Sequence, residues 1–157
     1  MRLWHKYLIH YLPKSQLIAQ WRELNSIFKK GDEHLDHILI NYVYNYDKLH
    51  LYSYSQLVID EMKSRGYKIN SWDNYKKYFD LNESCLMDYY SKNKLSIDDI
   101  FAEHHNDRYL YQCFYNLQEK YDRGQADFSN QVYRNMMIYL AKRKKEGNLK
   151  WAKKWKL

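Results

Sequence analysis

Proline occurs once, at Pro13, and glycine four times in 157 residues. A chain so poor in turn formers cannot build a sheet of many tight hairpins, and long helices are the natural alternative. Cysteine is limited to Cys85 and Cys113, too few for a disulfide framework or a cysteine zinc site. No apolar run approaches the roughly 18–20 residues that a membrane span needs, and His5, Lys6 and His10 interrupt what could have been a signal-peptide core. The expected compartment is the cytoplasm. No phosphate-binding loop, glycine-rich dinucleotide fingerprint or Ser/His/Asp signature is present, which removes the commonest nucleotide-dependent and serine-hydrolase chemistries.

What is abundant is positive charge at one end. Residues 131–157 carry nine cations, Arg134, Lys142, Arg143, Lys144, Lys145, Lys150, Lys153, Lys154 and Lys156, against the single acid Glu146. The formal net charge is +7, so the rest of the chain is close to neutral. Trp151 and Trp155 interleave with the lysines at i, i+4 spacing. Cations that neutralise phosphates beside flat rings suit a nucleic-acid backbone; a solvated basic tail is the plainer alternative. Eighteen tyrosines could stack on bases, but half-buried packing is the expected role of most.

Hydrophobic spacing organises the chain. Leu17, Trp21, Leu24 and Phe28 recur as one stripe of a helix that Pro13 opens and Gly31 ends; Ala19, Arg22, Glu23 and Ser26 share another face. A short segment capped by Asp32 or Asp36 is expected through Asn45. Leu51, Tyr54, Val58 and Met62 mark a helix over about 48–65, stopped by Gly66. One or two short helices are expected between 68 and 95, with Ser96 as an N-cap. Helices over about 105–123 and 129–146 follow, the first closed by Gly124. The fold class is mostly α, a single domain over 1–147 with a basic Trp/Lys tail at 148–157.

Three blocks carry a resemblance. Leu12–Phe28 with its Arg22-Glu23 pair, the run from Tyr46-Asp47-Lys48-Leu49 to Arg65-Gly66-Tyr67, and the opening Met1-Arg2-Leu3-Trp4-His5 resemble the pyrimidine-dimer DNA glycosylase family, in its bacterial branch. The likeness covers roughly the first seventy residues and is patchy from 105 to 121. It implies three long helices plus shorter ones, with an N-terminal arm threaded into the body so that the terminus reaches Glu23. It also implies a DNA repair glycosylase with AP-lyase activity on damaged pyrimidines or abasic sites in double-stranded DNA, acting as a monomer without metal or redox cofactor.

In that family an N-terminal α-amine forms a Schiff base with the sugar, and a glutamate assists. An α-amine, with an ordinary pKa of about 7.7–8.0, is partly neutral near pH 7.5, whereas a lysine near 10.4 is not. The catalytic pair implied here is Met1 and Glu23. Arg2, Arg22 and Lys120, which matches a family lysine, join Lys142, Arg143, Lys144, Lys150, Lys153 and Lys154 as expected DNA contacts. The chain departs from the pattern in three places. The family's terminal threonine, exposed by methionine removal, is replaced by Met1 ahead of the bulky Arg2, so Met1 is expected to remain. Ser26 and Asn116 stand where the family has arginines.

A different class remains open: a non-catalytic nucleic-acid-binding protein on the same scaffold. A third reading places the terminal basic helix on an anionic membrane surface. Two histidine pairs, His34/His37 and His104/His105, lack partners at metal-ligand spacing, so surface or capping roles are expected for them.

Overall fold

The computed structural model describes residues 1–146. Six α-helices run in order: α1 (Lys14–Lys30), α2 (Lys48–Ser64), α3 (Trp72–Tyr78), α4 (Ser84–Asn93), α5 (Asp107–Asp122) and α6 (Asn130–Lys145), joined by short 3-10 turns, with no strand among the described residues. The fold is all-α, as the scarcity of glycine and proline implies. No described helix is long and apolar enough to cross a membrane.

The helix ends follow local chemistry. Asp47 caps α2 through Leu49 N–H at 2.8 Å, Asn106 caps α5 through Tyr109 N–H at 3.0 Å, and Ser129 caps α6 through Val132 N–H at 3.2 Å. Gly66 and Gly124 sit at φ +75° and +81°, each followed by the backbone bond that ends a helix in a left-handed residue: Tyr67 N–H to Met62 O, and Gln125 N–H to Lys120 O. The short α3 ends in the same way at a non-glycine residue, Asp80 (φ +52°), with Leu81 N–H on Lys76 O at 2.9 Å. The expected helical segment after Gly31 is instead two 3-10 turns, Gly31–Glu33 and Asn41–Asn45. Neither Asp32 nor Asp36 caps a helix there. His34, at φ +53°, breaks the run, and the Asp36 carboxylate accepts from the Asn41 side chain.

The expected stripe of α1 is buried, together with Gln20 and Ile27, and it packs on α2 and α3. An extended arm, residues 1–5, leads into a 3-10 turn, Lys6–Tyr11, that packs on α2, α5 and α6. Leu3 and Leu8 are fully buried, so the arm is part of the core. The His105 ring receives Lys6 N–H on Nδ1 at 3.0 Å, which leaves the ring proton on Nε2 facing the Tyr42 hydroxyl at 2.7 Å. His105 is thus a buried core group, while its neighbour His104 stays exposed, stacked on Tyr42 with ring centroids 4.8 Å apart.

Both core imidazoles are held neutral. Burial drives His5 down to about 3 and His105 well below its ordinary range. A depressed histidine pKa means that the unfolded chain binds the proton more readily, so stability present above pH 6.5 is lost as pH falls toward the folded value. Urea unfolding between pH 7 and pH 4 should therefore show a falling free energy. His105→Gln keeps an acceptor and a donor without a titrating ring, and should flatten that fall by about 1.4 kcal/mol per pH unit below pH 6. Identical slopes in parent and variant would show that His105 is not buried in the neutral form.

Candidate active site

Glu23 lies just past the midpoint of α1, on the face that the arm crosses. Its side chain is half-buried. The carboxylate accepts from Gln20 Nε2 at 3.1 Å, and it faces the Arg2 backbone amide, the Met1 ammonium and Arg22. Burial pushes its pKa up; the Met1 amine, the Arg2 amide, Arg22 and Gln20 each pull it back, and burial wins. The Met1 ammonium and the Glu23 carboxylate thus lie within electrostatic range of each other. Met1 itself is exposed, so the pair sits near the surface of the domain.

The other expected residues are placed differently. Arg22 is exposed and lines a cleft of about 260 Å³ with Trp21, Asn25, Met62, Lys68 and Asn70. The Arg2 guanidinium turns toward α5, beside the Cys113 thiol and within electrostatic range of Tyr109 and Tyr42. Lys120 is half-buried in the last turn of α5. Lys142 and Lys144 are exposed in the last turn of α6. Between them Arg143 binds Asp107 Oδ1 through Nε and Nη2 at 3.0 and 2.8 Å and lies 4.9 Å from the centre of the Tyr7 ring. This is a structural clasp between α6, α5 and the 3-10 turn that follows the arm. Lys150, Lys153 and Lys154 lie outside the described residues.

Two features escape a reading of the sequence. Gln20, on the buried stripe of α1, is fully buried although polar, and it bonds both to the arm and to Glu23. The fold also gathers Lys29, Lys30, Lys48 and Lys77 around a cleft of about 480 Å³ shared with Asp32 and Asp80. These lysines come from three separate helices, so no charge run announces them. Among the described residues, no group of three or more His, Cys, Asp or Glu side chains converges as a metal site.

The family model described as pyrimidine dimer DNA glycosylase matches residues 1–74. The chain resembles that family. The matched stretch holds the arm, α1, α2 and the start of α3, hence Met1, Arg22, Gln20 and Glu23, while Lys120 and the basic C-terminal segment lie beyond it. Among curated proteins and among solved structures, none matches.

The raised pKa of Glu23 has a consequence for stability. A carboxyl whose folded pKa exceeds its ordinary 4.5 is disfavoured when ionised, so the fold is strained by it at neutral pH and relieved as the group takes up a proton. Glu23→Gln should raise the urea midpoint at pH 7, with the gain disappearing below pH 4. A lower midpoint at pH 7 would mean that attraction from the amine and Arg22 outweighs burial.

Proposed function

We propose that this chain is a DNA repair enzyme: a glycosylase acting on pyrimidine dimers or related damaged pyrimidines in duplex DNA, with an associated AP-lyase step through its N-terminal amine. The observation that carries the reading is the Met1 amine facing a half-buried carboxylate, Glu23, whose pKa burial raises, at an open edge of the domain. The family likeness over residues 1–74 supports it.

The chemistry follows from those two groups. The neutral amine donates its lone pair to the anomeric carbon of the damaged nucleotide while the bond to the base breaks, and the base leaves with the bonding electrons and takes up a proton. Ionised Glu23 stabilises the positive charge that develops on the sugar ring. The amine, now attached to the sugar, passes a proton to Glu23, and Glu23 hands it to the ring oxygen as the ring opens to an iminium ion, the Schiff base. Loss of a proton from the adjacent sugar carbon expels the 3′ phosphate by β-elimination, and water hydrolyses the imine to free the enzyme. A carboxyl whose pKa burial raises holds a proton more readily than an ordinary glutamate, which suits both duties.

Arg22, exposed next to Glu23, suits a phosphate flanking the lesion. Lys120, Lys142, Lys144 and the lysines beyond residue 146 supply further counter-charge, whereas Arg2 and Arg143 are engaged within the domain and serve DNA only through the elements they hold. The reading takes the protein as a monomer in the cytoplasm.

Borohydride trapping on duplex DNA with one abasic site tests the reaction, after intact-mass measurement has shown that the chain begins at Met1. A covalent adduct mapping to Met1 is expected, and Glu23→Gln should slow turnover on that substrate by about 100-fold or more, the range of a lost acid–base group. DNA binding without an adduct would favour the non-catalytic nucleic-acid-binding alternative. A second test concerns the basic segment. Removing residues 144–157 leaves the Arg143–Asp107 clasp in place and should reduce the slope of log affinity against log salt by about 0.9 for each phosphate that the segment neutralises. An unchanged slope would remove that segment from the interface.

A further inference from the structure

We infer that Gln20 is the positioning residue of this site: its buried carboxamide joins the backbone of residues 2–4 to the Glu23 carboxylate, and so holds the Met1 amine opposite that carboxylate. The inference rests on the reaction proposed above and adds the group that sets its geometry.

The side chain of Gln20 has no exposed surface. Its oxygen accepts from Trp4 N–H at 2.7 Å. The Tyr54 hydroxyl directs its single proton between that oxygen, at 3.0 Å, and the Trp4 carbonyl, at 2.6 Å. The amide nitrogen donates one proton to the Arg2 carbonyl and the other to Glu23 Oε2, both at 3.1 Å. A backbone N–H can only donate, so the bond from Trp4 fixes which end of the amide is oxygen. With that end fixed, both amide protons are committed, one to the arm and one to the carboxylate.

Among the described residues, no other side chain bonds both to the arm and to Glu23. The groups facing Glu23 are the Met1 amine, the Arg2 amide, Arg22 and Gln20, with the Tyr54 hydroxyl within electrostatic range below. Met1 and Arg2 belong to the arm itself, and Arg22 points outward from α1. Tyr54 grips Trp4 but does not donate to Glu23. Gln20 and Glu23 stand at i, i+3 on one helix, a spacing that puts neighbouring side chains side by side. The carboxamide thus ties the arm to the carboxylate by hydrogen bonds, beside the attraction between the two charges.

The test uses Gln20→Met, which keeps length and apolar volume while removing every hydrogen bond, and Gln20→Glu, which keeps shape and the oxygen that accepts from the arm but lacks the pair of N–H donors. Urea unfolding and near-ultraviolet circular dichroism first establish that each variant is folded; Gln20→Glu serves if Gln20→Met is not. On abasic-site duplex, the folded variant should trap at least tenfold more slowly in single turnover, with DNA affinity within twofold of the parent. Carbon-13 NMR should show the Glu23 carboxyl titrating at higher pH than in the parent, since a donor to its ionised form is gone. Nuclear Overhauser signals between Met1 and Glu23 protons should vanish while those within α1 and α2 persist. A folded variant that traps at the parental rate, or keeps the Met1–Glu23 signals, overturns the assignment. If the parent itself never traps, the reaction fails, and the two NMR measurements still decide whether Gln20 holds the arm to the carboxylate.

Discussion

Residues 2–6 pass through the protein interior without belonging to a strand or an α-helix, so their buried amides and carbonyls need partners from outside the backbone ladder. Side chains supply them. Gln20 and Tyr54 serve Arg2 and Trp4, the Tyr109 hydroxyl donates to the Leu3 carbonyl, and His105 takes the Lys6 amide. An unmet buried amide costs about 1–3 kcal/mol, so an arm with several such groups is tolerable only with this set in place. Two tyrosines, Tyr54 and Tyr109, meet that need directly. A tyrosine brings an apolar ring to the core and a hydroxyl to a carbonyl beyond the reach of serine. Because the arm ends at Met1, the partners that satisfy its backbone also determine where the α-amine stands.

The regular parts of this arrangement are legible in the sequence because they rest on local rules. The stripe on α1 and the stops at Gly31, Gly66 and Gly124 depend only on neighbours a few residues away. The stretch that departs from expectation, 32–45, carries polar residues at plausible cap positions, but His34 adopts a positive φ that no local pattern demands. The stop at Asp80 is hidden for the same reason: a left-handed aspartate is allowed yet uncommon. Glu23 and Met1 are legible only through family likeness. Gln20 is not, since a polar residue on an apolar stripe gains meaning only when its partners 16 residues away, at Trp4, and 34 residues away, at Tyr54, are known.

Charge shows the same division between what is local and what the fold assembles. The basic C-terminal run is visible by counting, but counting does not separate Arg143, bound to Asp107 and half-buried, from Lys142 and Lys144 on either side of it. Guanidinium groups suit such forked and ring-stacked roles better than ammonium groups. That explains why the arginine of this run is the residue taken into the structure while its lysine neighbours remain in solvent. The reverse happens with Lys29, Lys30, Lys48 and Lys77, which are ordinary singly and become a positive rim only when α1, α2 and α3 pack together.

Lys6 sharpens the argument for the terminal amine. Burial lowers its pKa to about 8, so on acidity alone it rivals an α-amine as a neutral nucleophile near physiological pH. Geometry rules it out. Its ammonium donates to the Asp98 and Ile100 carbonyls at 2.7 and 2.8 Å, and the residue is almost wholly enclosed, so neither its lone pair nor an approach path is free. A suitable pKa is necessary for attack on a sugar, but the attacking atom must also be able to reach it. The Lys6 amine, whose acidity burial shifts, is locked into the fold, whereas Met1 at the end of the arm is exposed.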